Sequence, residues 1–132
     1  MNEIAREYVR HSPFTRHVGL EVESLEPDVA VLKLDFADHL VTVGDIVHGG
    51  AIGTLADVAA MAAVWTGVEP GTASTGSTVS LTVDFVAAAR GTAIVATAKV
   101  VRRGRSISFC DVDVTDGDGG LVAKALVTYK LA

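Results

Sequence analysis

An α+β domain is what this 132-residue chain predicts, and three observations predict it. Before residue 37, two stretches alternate apolar and polar side chains with a period of two, the signature of half-buried strands. From about Gly50 to Trp65 the chain is apolar on nearly every side of a helical wheel, which marks a helix buried on most faces. Beyond that helix only strand-period stretches remain, separated by turn residues. A sheet of that extent packed around one helix buries both, and residues 1–132 read as one such domain.

Residues 2–10 predict a short helix with Ile4, Ala5 and Tyr8 on one face, broken by Ser12-Pro13. His17 to Glu26 sets Val18, Leu20 and Val22 against His17, Glu21 and Glu23, a half-buried strand. Pro27-Asp28 turns the chain. Ala30, Leu32, Leu34 and Phe36 then alternate with Val31, Lys33 and Asp35 in a second strand. Residues 37–47 have no clear period. The long helix follows, and Glu69-Pro70-Gly71 ends its region. Val79, Leu81, Val83 and Phe85 define the next strand, and Ile94, Ala96, Ala98 and Val100 the one after the Arg90-Gly91 turn. Ile107 to Val114 follows a turn at Arg103-Gly104, with a change of apolar face near Phe109 and Cys110 that predicts a bulge or burial on both sides. Asp116-Gly117-Asp118-Gly119-Gly120 is a hairpin signal. Leu121, Ala123, Ala125, Val127 and Tyr129 close the sheet. The expected order is two strands, one helix, then four strands in a meander.

The formal net charge is −5, which argues against a nucleic-acid partner. Arg102, Arg103 and Arg105 form the one candidate basic patch for a polyanionic ligand. The single cysteine, Cys110, rules out an internal disulfide and fits a reducing compartment. No apolar leader opens the chain, and the longest apolar run, Val58 to Trp65, falls far short of the ~20 residues that cross a bilayer. A soluble cytoplasmic protein without membrane contact is expected. A helix apolar on almost all sides in so small a domain also favours an oligomer.

The chemistry concentrates between Val47 and Asp57. Asp57 is a lone carboxylate among Ala, Val, Leu, Met and Ile, and such a group is paired, hydrated or functional because burying it bare is costly. Gly49 and Gly50 open the helix and let another molecule approach its outward N–H groups. An acid and an anion-binding helix end are two parts of a site that attacks a carbonyl. Gly50, Thr54, Asp57 and Met61 share one helix face. Asp57 lies seven residues beyond Gly50, roughly 10 Å along the axis. One small carbonyl does not easily touch both, so two helices antiparallel across a two-fold axis are expected to bring Asp57 of one beside Gly50 of the other.

Each of these residues has a plainer role to weigh. Asp57 reads equally as a helix acid bonded to a neighbouring strand hydroxyl. His48 reads as an orienting side chain more than as a catalyst. Thr42 either places a hydroxyl near the reacting centre or is an ordinary loop threonine. Of Thr75, Thr78 and Ser80, Thr78 is the hydroxyl expected to face the site. The arginines form a solvated turn or hold phosphates by charge-assisted hydrogen bonds. Cys110, without a basic neighbour in sequence, reads as a buried structural thiol. His11, His17, His39 and His48 lack metal-ligand spacing, so no metal is expected. No G-x-S-x-G elbow or phosphate-binding glycine loop is present.

His48-Gly49-Gly50, with Asp57 nine residues after the histidine in an Ala-rich helix, resembles the hotdog-fold acyl-CoA thioesterases of the PaaI-like type (the phenylacetate-pathway and 4-hydroxybenzoyl-CoA thioesterase group). Leu81-Thr82-Val83-Asp84-Phe85, Gly104-Arg105, Asp113-Val114 and Gly120-Leu121-Val122-Ala123 are similar to later parts of that family, so the likeness runs from about residue 14 onward. The resemblance implies a hotdog fold, a homodimer that pairs again as a homotetramer, and an active site between subunits that hydrolyses acyl- or aryl-CoA thioesters. It implies Asp57 as general base or nucleophile, the N–H of Gly49 or Gly50 as oxyanion donor, and Thr78 at a position where some members carry a water-placing serine. Thr42 departs from the Asn or Gln that such enzymes often carry there. Coenzyme A enters as part of the substrate, with no separate cofactor; its phosphates would lie near Arg102, Arg103 or Arg105. Ala59, Ala60, Ala62 and Ala63 leave room for the acyl part. A hotdog hydratase or dehydratase using His48 and Asp57, and a non-catalytic acyl-CoA binder, are the alternatives.

Overall fold

The computed structural model describes residues 2–132. Helix α1 (Asn2–His11) buries Ala5 and Val9 and lies against the long helix. Ser12-Pro13 does break α1, but the chain then turns into a second short helix, α2 (Pro13–Val18), where the sequence places the start of a strand. Proline costs a helix nothing at its first position, and Gly19 closes α2 in the left-handed conformation at φ 100°. His17 and Val18 are therefore helical, and strand β1 (Leu20–Glu26) begins at Leu20.

β1 pairs antiparallel with β2 (Val29–Leu34) across the Pro27-Asp28 turn. Phe36 lies beyond β2 but still packs against the core. The aperiodic stretch 37–47 resolves into a 3₁₀ turn (Asp38–Leu40) and a small hairpin of β3 (Val41–Val43) and β4 (Ile46–Val47). Helix α3 (Gly49–Thr66) follows, then β5 (Gly76–Phe85), β6 (Ile94–Arg103), β7 (Ile107–Asp116) and β8 (Leu121–Leu131).

The main sheet is antiparallel with the order β1-β2-β6-β7-β8-β5. The expected meander holds for β6, β7 and β8, while β5 sits at the far edge beside β8. Each strand has two edges. Those of β6 are filled by β7 and by β2, which sets Ala30 opposite Ala98 and Leu32 opposite Ala96, leaving β5 only the open side of β8. The irregularity expected at Phe109 and Cys110 lies on the facing strand. β7 alternates evenly, with Ser108, Cys110, Val112 and Val114 inward, and β6 carries the extra residue, Val101, between the pairs Val100–Cys110 and Arg102–Phe109. Phe109 thus points out of the core.

α3 crosses the inner face of the sheet and forms the centre of the core. Its length and composition would suit a bilayer, but 67% of it is buried inside the fold, as befits a core helix. Ala59, Ala60, Ala62 and Ala63 are completely buried. The sheet takes up the space that these small side chains leave, so they provide no acyl pocket. Fully buried Leu55 and Val64 each stabilise the packed state by about 1.5–3 kcal/mol relative to exposure.

Candidate active site

Two backbone bonds fix the entry to α3. Val47 N–H donates to the Ala89 carbonyl at 2.9 Å, and His48 N–H to the Leu40 carbonyl at 2.7 Å. His48 is the N-cap residue, with extended backbone, and its Nδ1 accepts the Gly50 N–H at 2.8 Å. A ring nitrogen that accepts carries no proton, so the proton of the neutral imidazole sits on Nε2. This bond separates the two glycines that the sequence treats alike. Gly50 N–H is occupied by the cap, whereas Gly49 N–H has no acceptor among the described residues. A Cβ on Gly49 would stand 3.3 Å from the Phe85 ring, so the glycine also admits this close packing. Gly49 and the exposed Thr42 line one cleft with Phe85, about 400 Å³ in volume. His48 and Gly50 face a different groove, shared with His17 and His39, whose rings stand 6.2 Å apart.

Asp57 lies about two turns further along α3, roughly 12 Å from Gly49 by helical rise. Its Oδ1 accepts a hydrogen bond from Thr78 Oγ1 at 2.6 Å. This is the bond from helix acid to strand hydroxyl that the plainer reading of Asp57 expects, and it is made by the threonine singled out for the site. The other two hydroxyls point elsewhere. Thr75 donates to the Ala132 carbonyl at 3.3 Å, and Ser80 lies opposite Thr128, on the sheet face away from α3. Thr54 donates to the Gly50 carbonyl at 2.8 Å, within its own helix. Asp57 and Thr78 open into a third cleft, of about 270 Å³, with Val58 and Met61.

One chain therefore keeps its parts apart: Gly49 with Thr42, His48 with Gly50, Asp57 with Thr78. The arginines stand at the other end of α3. Arg103 Nη2 donates to Asp28 Oδ1 at 2.7 Å and to the Val64 carbonyl at 3.0 Å, completing the C-terminal end of the helix. Gly67 is a glycine because a Cβ would collide with this guanidinium. Arg103 is thus committed to the fold, while Arg102 and Arg105 are exposed. Cys110 is buried beneath α3, and burial pushes its thiol up to about 11, which leaves it an inert neutral group. No group of three or more His, Cys, Asp or Glu side chains among the described residues is placed to hold a metal ion.

Two tyrosines that sequence reasoning missed, Tyr8 and Tyr129, line the Asp57 cleft. Tyr129 could have been found from its type, since a phenol on the inner face of a core strand needs a partner for its hydroxyl.

The antiparallel sheet wrapped on one long helix is the hotdog fold. Residues 44–123, which include Gly49, Asp57 and Thr78, match the model of the thioesterase superfamily, and the chain belongs to that family. It is 31% identical to the medium/long-chain acyl-CoA thioesterase YigI of Salmonella typhimurium, over 94% of this chain and 88% of that one. The crystal structure of S. sahachiroi AziG superposes with a TM-score of 0.81 at 30% identity, over 90% of this chain and 95% of that one. The E. coli PaaI protein from the phenylacetic acid degradation operon shares the fold, with a TM-score of 0.84 at 18% identity over 99% and 94% of the two chains.

Proposed function

We propose that this chain hydrolyses acyl-CoA thioesters at a site that two copies complete. The observation that carries the reading is the separation, within one chain, of an unpartnered helix-start amide at Gly49 from a carboxylate held by Thr78. Neither half is sufficient for hydrolysis. Antiparallel α3 helices across a two-fold axis would set the Gly49 of one copy against the Asp57 of the other, twice over. The edge strand β5 supports the pairing. Its outer edge has no partner strand among the described residues, and Val79, Leu81 and Phe85 along it are 57%, 40% and 57% exposed. An unguarded edge of ten residues with apolar side chains is suited to continue its sheet into a second chain. Two such dimers would pair as the tetramer.

In this site the thioester carbonyl points at Gly49 N–H. Charge that develops on its oxygen meets an amide with no competing acceptor and the positive end of the α3 dipole. Asp57, held by Thr78 through one oxygen, keeps its second oxygen for the attacking water or for the carbonyl carbon itself. His48 caps the helix and so keeps Gly49 aimed, and Thr42 adds a hydroxyl beside the same cleft. Of the three candidate arginines, Arg102 and Arg105 are exposed and free to meet the CoA phosphates. Cytoplasm is the expected compartment, supported by the single buried thiol.

A mixing experiment tests the shared site. Asp57→Asn removes the carboxylate, and Gly49→Pro removes the N–H at a first helical position, with Gly49→Ala, which makes the same Cβ contact with Phe85 but keeps the N–H, as its control. Asp57→Asn and Gly49→Pro, each alone, are expected to lose thiol release from an acyl-CoA panel. Mixed by refolding, half of the dimers carry one intact site, and about a quarter of native activity returns. No recovery from two folded variants would show that both groups act within one chain. Enoyl hydration without thiol release would favour the hydratase alternative, and binding without turnover the carrier.

A further inference from the structure

Tyr129 has no part in the mechanism above, yet it lies in the same cleft as Asp57 and Thr78. It is only 5% exposed, on the inner face of β8. Its hydroxyl oxygen accepts the Trp65 Nε1–H at 3.1 Å, which holds the phenol in one place. Gly76 makes room for it, because a Cβ there would collide with the Tyr129 hydroxyl. Burial keeps the phenol above its ordinary pKa, so it stays a neutral donor at working pH. Its own hydrogen finds no acceptor among the described residues. A donor this buried lowers stability while it stays unpaired, and a ligand in the cleft can supply the acceptor. The cleft has room for one: its volume of about 270 Å³ exceeds the ~150 Å³ that admits benzene.

We propose that Tyr129 determines specificity, donating its hydroxyl hydrogen to an oxygen that the acyl group carries beyond the thioester carbonyl, with Trp65 and Gly76 holding it in position. The site then selects oxygen-bearing acyl groups over hydrocarbon ones of equal size. This rests on the thioesterase reading of the Asp57 cleft.

The pair 5-hydroxypentanoyl-CoA and hexanoyl-CoA differs by a terminal hydroxyl in place of a methyl. The native protein is expected to favour the hydroxyl member by about tenfold in kcat/KM. Tyr129→Phe brings that ratio down to about one, through a higher KM for the hydroxyl member. Gly76→Ala, which displaces the phenol without removing it, lowers the same ratio. A native preference for hexanoyl, or a ratio that Tyr129→Phe leaves intact, overturns the assignment. Failure of the underlying reading looks different, since Asp57→Asn would then turn over both esters at the native rate. Trp65 is the only tryptophan, so its emission gives a readout independent of catalysis. Saturating 5-hydroxypentanamide is expected to change it and hexanamide to leave it unchanged in the native protein; equal responses would overturn the proposal.

Discussion

The two halves of α3 are one helix under two sets of rules. From Val58 to Thr66 every residue is buried, and the alanines there let the sheet close down on the helix. From Gly49 to Asp57 only Ile52, Leu55 and Ala56 are buried, and a stripe of Gly50, Gly53, Thr54 and Asp57 stays open. A Cβ on Gly53 would meet nothing within 4 Å. The closed half is packed almost wholly by its own chain, with Val58 and Met61 bordering the Asp57 cleft. The open half leaves an acid, an unpartnered amide and small residues accessible. The proposed mechanism therefore divides stability and chemistry along this helix, so substitutions in the two halves should separate cleanly.

The largest effect should come from the open half. Asp57→Asn is expected to lower kcat about a thousandfold, with a urea midpoint close to native. A large shift in that midpoint would make Asp57 a structural residue and erase the division. Val64→Ala, in the closed half, should do the opposite. Unfolding followed by circular dichroism is expected to show a loss of about 2 kcal/mol from the deleted methyls and the cavity they leave, while kcat stays near native.

Smaller changes sharpen the boundary. Thr78→Val keeps the shape of the side chain and removes the hydrogen bond to Asp57. Because the pair is partly exposed, the expected cost is about tenfold in kcat, with KM little changed. An unaltered kcat would mean that the carboxylate needs no help in holding its position. His48→Ala removes the cap on Gly50 and should destabilise the protein by about 1 kcal/mol. It also loosens the aim of Gly49, so kcat is expected to fall as well, and an unaltered kcat would mean that the cap does not position the amide.

Much of this molecule is legible in its sequence where the signal is local. The α3 boundaries lie within a residue of the apolar run that predicts them, and the hairpin at residues 116–120 falls where its glycines place it. Asp57 stands out because a carboxylate in an apolar helix is chemically conspicuous, and Thr78 because a strand hydroxyl is its natural partner. Where the structure adds to the sequence reading, the cause is a local cap in one place and a distant partner in the other. His17 and Val18 follow the alternation of the next strand but are drawn into α2 by Pro13 and Gly19. Arg103 looks the same in sequence as Arg102 and Arg105, and only Asp28 and the end of α3 tell it apart.

By itself the sequence determined the helix, the strand periods, the turns and the kinds of group available for chemistry, because these follow from the spacing of neighbouring residues along the backbone. Tertiary structure alone decided that β5 lies at an open edge, that Arg103 closes the end of α3 through Asp28, and that Tyr129 reaches the acid's cleft. Strand order and the choice of hydrogen-bond partner depend on which distant segments claim an edge or a donor first. That competition is settled only when the chain has folded.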